Sequence, residues 1–166
     1  MYAGLVVLGM ARKTRRVKFF WKADVIIRKM KKLARFGELN VLPNLKLLQA
    51  ERGSLRRSCP VAEVKNLYDA TIRVAARSGF SVIEAIANER AGEYMSSVGD
   101  SFWAESYLTR ALLLYNEWGA NAKTKQMVGK YSFLADPSSA PQSRHDLSLR
   151  DRFSFRRSDE GRRVSF

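Results

Sequence analysis

Apolar residues recur at helical spacing along the first 131 residues of the chain. Three sets with the spacing i, i+4, i+7 follow one another at intervals of 41 and 40 residues. They are Ala23, Ile27 and Met30, then Val64, Tyr68 and Thr71, then Ala104, Leu108 and Ala111. Such spacing puts side chains on one face of an α-helix. The pattern predicts a repeated helix that packs through the same stripe in each copy.

Three glycines keep step with these stripes. Gly37, Gly79 and Gly119 lie 42 and 40 residues apart, and each follows the end of an apolar run. Glycine at that place closes the last turn of a helix in the left-handed conformation. Because stripes and glycines share one interval, the sequence predicts a structural repeat of about forty residues.

The periodic segments predict seven helices, over residues 2–13, 17–36, 41–53, 60–78, 81–98, 101–118 and 120–131. Pro60 suits a first helical position, with Ser58 or Cys59 as the cap. Ser81 and Glu84 have the form of a capping box. Since no segment alternates like a strand between turn signals, the sequence predicts an all-α fold. We expect antiparallel helix hairpins stacked as a short tetratricopeptide-like solenoid over residues 1–134.

Small and bulky residues are distributed as close helix packing requires. Small residues that would let two helices approach are Ala91, Gly92, Ala104 and Ala111. The bulky residues expected to fill the adjoining spaces are Tyr94, Met95, Phe102, Tyr107, Leu108 and Tyr115. Each helix pair leaves an apolar flank that only a neighbouring pair covers, so such units are stable as arrays.

One helix pair carries a recognisable motif. The motif begins with a small residue and glycine, Ala91-Gly92, and an apolar residue, Met95, follows three positions later. Gly99-Asp100 stands at the turn, and the second helix has the small–apolar–small triplet Ala104, Leu108 and Ala111. This pattern resembles a tetratricopeptide repeat. Gly119 closes the same unit. The resemblance implies helix pairs that bind other protein surfaces.

A second resemblance covers residues 17–131 and is carried by the runs 84–94, 104–108 and 115–123. These runs are similar to the last helical repeats of large signalling proteins that join a protein kinase domain and a signalling ATPase to a sensor kinase or nucleotide cyclase. In that family the segment is a helical linker, and neither ATP hydrolysis nor phosphotransfer resides in it. The resemblance implies an accessory role, as a fragment or a stand-alone remnant.

Positive charge is concentrated in the first third of the chain. The net charge is +14, and residues 1–58 hold fifteen Lys and Arg against three Asp and Glu, whereas residues 59–131 hold eight of each. In the helix predicted over 17–36, the stripe leaves outside Lys18, Lys22, Arg28, Lys29, Lys32 and Arg35. This face is either simply solvated or binds an acidic protein, a calmodulin-like groove, anionic lipid or a nucleic-acid backbone. Two explanations fit Trp21 and Phe36: they anchor a partner, or they pack against neighbouring helices.

Residue types for catalysis are sparse. Cys59 and His145 are single, which excludes an internal disulfide and favours a reducing, cytoplasmic location. Gly4 and Gly9 have phosphate-loop spacing, but Met10 stands where lysine is required. We therefore expect no catalytic residue, no cofactor and no metal. The acidic residues Glu84, Glu89, Glu93 and Glu105 are expected on solvated helix faces.

The two ends of the chain differ in composition. Residues 2–11 are apolar, but they are too few to cross a bilayer, which takes about 20 residues, and we expect a buried helix. Residues 135–166 are rich in Ser and Arg and show no helical stripe, so a disordered tail is predicted. Ser165 follows Arg162-Arg163-Val164 and is a candidate phosphorylation site.

These observations favour a non-catalytic protein-interaction scaffold or linker with a protein partner, possibly acidic. The alternative is a basic helical module that binds nucleic acid or an anionic membrane surface through residues 12–35. An enzymatic role survives only if a larger assembly supplies the active site.

Overall fold

The computed structural model describes residues 2–36 and 39–135, and these residues form an all-α fold. The helices are α1 (Tyr2–Thr14), α2 (Val17–Arg35), α3 (Leu42–Ser54), α4 (Val61–Arg77), α5 (Ser81–Ser97), α6 (Ser101–Glu117) and α7 (Asn121–Lys130). Short 3-10 turns cover Leu39–Val41 and Ser132–Ala135. Every predicted helix is present, with each end within one residue of the predicted position.

The helices pack as pairs, α1 with α2, α3 with α4 and α5 with α6, and α7 closes the far end. The core runs from pair to pair. One apolar cluster has residues from α1, α2 and α3, and a second has residues from α3, α4, α5 and α6. A third has residues from α5, α6 and α7. Because each helix pair shares its core with the next pair, the architecture is a stack. This confirms the predicted fold class.

In two of the helix pairs, a glycine lets the two helices of the pair lie close together. A Cβ built on Gly92 would lie 2.6 Å from Cγ of Leu108, and one built on Gly53 would lie 2.8 Å from Cδ1 of Leu67. Ala104 and Ala111 are buried on the same side of α6, as predicted. Sequence reasoning missed Gly53, because it stands in no apolar stripe.

Three glycines end helices in the left-handed conformation, as predicted for Gly79 and Gly119 and for the turn at Gly99. Their φ angles are +71°, +77° and +85°. After each one, the next backbone N–H donates to a carbonyl five residues back, for example from Phe80 to Ala75 at 2.9 Å. This bond satisfies a carbonyl that the helix end would otherwise leave free. The predicted cap at Gly37 lies outside the described residues.

The predicted first-turn caps of α4 and α5 are wrong. Pro60 and Phe80 occupy the N-cap positions, and neither makes a side-chain cap bond. The tight turn at Gly79 makes Phe80 the cap and places Ser81 inside the helix. Glu84 therefore forms no capping box with Ser81. Its carboxylate instead accepts a hydrogen bond from Arg110 at 3.1 Å.

Two packing expectations also fail. Phe102 was predicted to fill space between helices, but its position at the start of α6 leaves its side chain 60% exposed. The acidic residues of α5 do not lie on solvated faces. Glu84 is buried, and Glu89 and Glu93 are half-buried, because cations of α6 and α7 reach over them.

The C-terminal tail cannot be compared with its prediction. Residues 136–166, which include the candidate site Ser165, lie outside the described residues. Ala135, the first residue of the predicted tail, belongs to the turn Ser132–Ala135. The division into a domain over 1–134 and a tail over 135–166 stays a prediction.

Candidate interaction surface

The apolar stripe of α2 packs inward as predicted. Ala23 and Ile27 are buried, and Phe20, Met30 and Ala34 pack against the cluster that joins α1, α2 and α3. This packing fixes the rotation of α2 about its axis. The opposite side of the helix must therefore face solvent.

That opposite side is strongly basic. All six cations predicted to lie outside the stripe are exposed, and Lys31 is exposed at the edge of the same side. We call this set the cationic face: Lys18, Lys22, Arg28, Lys29, Lys31, Lys32 and Arg35. Sequence reasoning omitted Lys31, although its exposed position beside Lys32 was readable from the helical spacing.

The cationic face has no acidic counterpart in the part of the chain that the structure describes. Asp24 is the one acid in α2, and Arg52 of α3 holds both of its oxygens, at 2.8 and 3.1 Å. The Arg52 guanidinium also lies 5.1 Å from the centre of the Phe20 ring. Among the described residues, no ion pair involves a member of the cationic face.

The later helices are arranged differently, because five of their eight Lys and Arg side chains are ion-paired, whereas Arg73, Arg77 and Lys125 are exposed without an ion pair among the described residues. Lys123 and Lys130 of α7 lie 2.7 Å from Glu89 and Glu93 of α5. Burial alone would raise the pKa of Glu93, but hydrogen bonding from Lys130 and attraction to Arg90 hold that pKa below its ordinary value. The second half of the stack thus uses most of its cations in ion pairs, whereas the cationic face of α2 forms none among the described residues. Within the same residues, Arg28 donates only to the backbone carbonyl of Asp24, at 3.3 Å.

Two aromatic side chains stand among the free cations. Trp21 is 63% exposed and Phe36 is 74% exposed, so helical packing does not explain either one, and that interpretation is wrong. Near the end of α2 a depression of about 440 Å³ is lined by Arg28, Lys31, Lys32, Arg35 and Phe36. The surface therefore combines free cations with exposed apolar area.

Helix α1 is buried on one side only. Gly4, Leu8 and Ala11 face the core, whereas Tyr2 and Val6 are 68% and 65% exposed. The prediction of a buried helix is therefore correct for the inner face and wrong for the outer one. Rotation by 100° per residue puts the exposed side chains on a single row.

Reactive chemistry has little support from the described geometry. No three His, Cys, Asp or Glu side chains are grouped to hold a metal ion within residues 2–36 and 39–135. Desolvation and the nearby Glu63 raise the pKa of the Cys59 thiol. The thiol is therefore protonated at neutral pH and is a poor nucleophile.

Comparisons of this chain with protein-family models, with curated proteins and with solved structures each gave no match. The resemblance to helical repeats of signalling proteins therefore stays a hypothesis that rests on the quoted residues. None of the described helices combines the length and the apolar composition that a membrane-spanning helix needs.

Proposed function

We propose that this chain is a non-catalytic protein-interaction scaffold, whose helical stack presents the cationic face of α2 to an acidic protein partner. One observation carries the proposal: seven exposed cations on a single helix have no acidic counterpart among the described residues, although the later helices pair five of their eight cations. The role resembles that of a linker or docking segment in a larger signalling assembly.

The arrangement costs stability in the free protein. Arg28 and Lys32 are four residues apart, and so are Lys31 and Arg35, so like charges are neighbours on the helix surface and repel one another. The buried stripe holds α2 in place against this repulsion. Acidic groups of a partner would relieve it, and opposite surface charge also speeds association and selects partners.

The exposed aromatic residues favour a folded or helical protein partner over a nucleic-acid backbone. Trp21 and Phe36 have large apolar surfaces that a partner's side chains would bury, and aromatic anchors of this kind dominate many protein interfaces. A duplex backbone would engage the cations alone. Binding to nucleic acid would also weaken steeply with salt, by a log–log slope of about −0.9 per phosphate contacted.

The experiment is capture by the immobilised full chain from a nuclease-treated lysate, with quantification of each retained protein. The test variant carries Lys29→Glu, Lys32→Glu and Arg35→Glu. The matched control reverses three exposed cations elsewhere, as Arg73→Glu, Arg77→Glu and Lys125→Glu. Circular dichroism checks that both variants keep their helical content.

We expect acidic proteins to be retained by the wild-type chain and the control and to be lost from the test variant. Equal retention by all three chains would place the interface elsewhere. Retention that is found only in a parallel capture without nuclease would favour the nucleic-acid alternative.

A further inference from the structure

The outer face of α1 is apolar along three turns. Tyr2, Val6 and Met10 follow at i, i+4 and i+8, with exposures of 68%, 65% and 40%. Gly9 stands between them, and a Cβ placed there would meet nothing within 4 Å. A helix that is apolar on all sides is ordinarily covered on all sides. In the described residues, nothing covers this row.

The turn that follows α1 is basic and also exposes apolar side chains. Arg15 and Arg16 alone connect α1 to α2, so the end of α1 lies beside the start of α2. Lys13, both arginines and Lys18 are exposed. Val17 is 79% exposed at the same end of the hairpin. Exposed cations and exposed apolar side chains thus lie within a few residues of one another.

The other end of the stack lacks this combination. On α7, the exposed side chains include Asn121, Lys125 and Gln126, which suit a helix face that is turned to water. Phe102, Leu113 and Trp118 are also exposed, but they do not follow one another at i, i+4. Among the described residues, the apolar row beside a cation cluster is therefore found on α1.

We infer that the α1–α2 hairpin docks on an anionic lipid bilayer, with Tyr2, Val6 and Met10 in the interface and the turn cations on the lipid headgroups. A bilayer surface presents phosphates directly above an apolar layer, and helices with apolar residues beside Lys and Arg lie in that zone. Trp21, on the next turn of α2, has the amphipathic ring that is enriched at this depth.

Positive charge in this region favours an anionic bilayer over a second copy of the chain as the partner of the apolar row. Two hairpins packed through their α1 faces would bring together their clusters of Lys13, Arg15 and Arg16. The whole chain carries +14, so self-association meets repulsion both locally and overall. Anionic headgroups are complementary to the same cluster, and each cation near such a surface strengthens binding roughly fivefold.

This docking goes beyond the proposed function, and the two tests change different residues, although Lys18 and Trp21 belong to both surfaces. The acidic-partner test changes Lys29, Lys32 and Arg35, near the end of α2, whereas the bilayer contacts lie on α1, at its turn and at the start of α2. One site can therefore fail its test while the other passes. If both are correct, the stack is a peripheral membrane scaffold.

The test is co-sedimentation of the full chain with vesicles of phosphatidylcholine, with or without phosphatidylserine. One variant carries Tyr2→Ser, Val6→Ser and Met10→Ser, and a second carries Lys13→Gln, Arg16→Gln and Lys18→Gln. The matched control changes three exposed apolar residues outside α1 and α2, as Phe102→Ser, Leu113→Ser and Trp118→Ser. Because the changed apolar residues are exposed, thermal unfolding should stay within a few degrees of wild type. Val6→Ser alone replaces the first variant if it does not.

We expect the wild-type chain and the control to bind the phosphatidylserine vesicles. The serine variant should lose roughly tenfold or more in affinity. The variant that removes three cations should lose roughly a hundredfold, at about fivefold per cation. Brominated lipid should quench the fluorescence of Trp21, and Trp21→Phe should remove that quenching.

Three results would overturn the inference. The wild-type chain could fail to bind the anionic vesicles, or the serine variant could bind them as well as the control does. Analytical ultracentrifugation could instead show a dimer that the serine variant converts to a monomer, which would assign the apolar row to a second copy.

Discussion

A Cβ added to Gly92 on α5 would lie 2.6 Å from Cγ of Leu108 on α6 and 3.1 Å from the carbonyl oxygen of Ala104. Heavy atoms do not approach so closely without a shift. The absence of a side chain at Gly92 therefore allows α5 and α6 to lie this close together. Gly53 and Leu67 repeat the relationship between α3 and α4, so the same packing device serves two successive pairs.

Replacing Gly92 by alanine should push α5 and α6 apart. Overpacking of a close interface costs about 1–3 kcal/mol, which outweighs the gain of up to about 1 kcal/mol from the better helix propensity of alanine. Urea denaturation should show a lower midpoint with an unchanged slope.

Gly9→Ala is the matched control, because a Cβ at that position meets nothing. It should stabilise the protein by about 0.5–1 kcal/mol. Equal effects of the two substitutions would mean that the contact between α5 and α6 is looser than the structure gives.

The glycines that close the helices should resist substitution for a different reason. Gly79 and Gly119 have φ angles of +71° and +77°, and neither has an atom within 4 Å of a built Cβ. Alanine is therefore strained by its backbone alone, at about 1–2 kcal/mol. Gly129→Ala, in α7, should be neutral or stabilising. Thermal unfolding of the three variants compares them, and a Gly79→Ala protein as stable as wild type would contradict this account.

A buried carboxylate ties the first two helix pairs together. Glu51 is 4% exposed, and it accepts hydrogen bonds from the Tyr68 hydroxyl at 2.8 Å and from Arg12 at 3.0 Å. Tyr68→Phe should cost about 1 kcal/mol. Glu51→Ala should cost about 2–4 kcal/mol, because it removes the carboxylate that accepts from the buried Tyr68 hydroxyl and from Arg12. Arg12 keeps its hydrogen bond to Ser54 Oγ at 3.0 Å.

The double variant tests the coupling between these two residues. With the hydroxyl of Tyr68 already removed, Glu51→Ala no longer strands it, so the combined loss should be smaller than the sum of the single losses. Strict additivity in denaturant unfolding would show that the two side chains do not interact.

Tyrosine ionisation should be delayed in the folded protein. Burial raises the pKa of Tyr107 and Tyr115 above the ordinary 10.0, and the carboxylates of Asp69 and Glu89 raise them further. Because the folded pKa values are raised, the stability that they contribute is complete below about pH 10 and is lost as the pH rises above it. The part of the absorbance rise at 295 nm that Tyr107→Phe and Tyr115→Phe remove should therefore accompany the loss of helical circular dichroism. Ionisation of all tyrosines near pH 10 with the helices intact would contradict the prediction.

Acid should weaken the contact between α5 and α7. The pKa of Glu93 is lowered from 4.5 because Lys130 and Arg90 outweigh the opposing effect of burial. A lowered folded pKa means that the stability is present above about pH 4.5 and is lost as the pH falls through the folded value. Unfolding free energies measured at several acidic pH values should fall less steeply for Glu93→Gln than for wild type. Identical profiles would remove Glu93 from this role.

Much of the fold could be predicted because its signals are local. The stripe of Ala104, Leu108 and Ala111 and the caps at Gly79 and Gly119 each depend on residues a few positions apart. Helical periodicity and left-handed glycine therefore specify the seven helices and their ends. The inward stripe of α2 also fixes which of its cations face outward.

The remaining features depend on residues that are distant in sequence. The burial of Glu51 depends on Tyr68 and Arg12, and that of Glu84 depends on Arg110, so neither could be read from its own neighbours. Trp21 illustrates the opposite error. An aromatic residue in a helix is usually taken as core, but the partners already present around α2 leave it uncovered. The charges of the candidate surface were thus predicted, whereas for Trp21 and Phe36 the sequence allowed both partner anchors and helical packing.

The most direct test of the proposed function is fluorescence anisotropy of a labelled peptide rich in Asp and Glu, titrated with the full chain at physiological salt. The variant with Lys29→Glu, Lys32→Glu and Arg35→Glu should bind it roughly tenfold or more weakly than wild type. The control with Arg73→Glu, Arg77→Glu and Lys125→Glu should stay within about threefold, reflecting only the change in net charge. Equal weakening by the two variants would show that binding follows overall charge and that α2 holds no dedicated site.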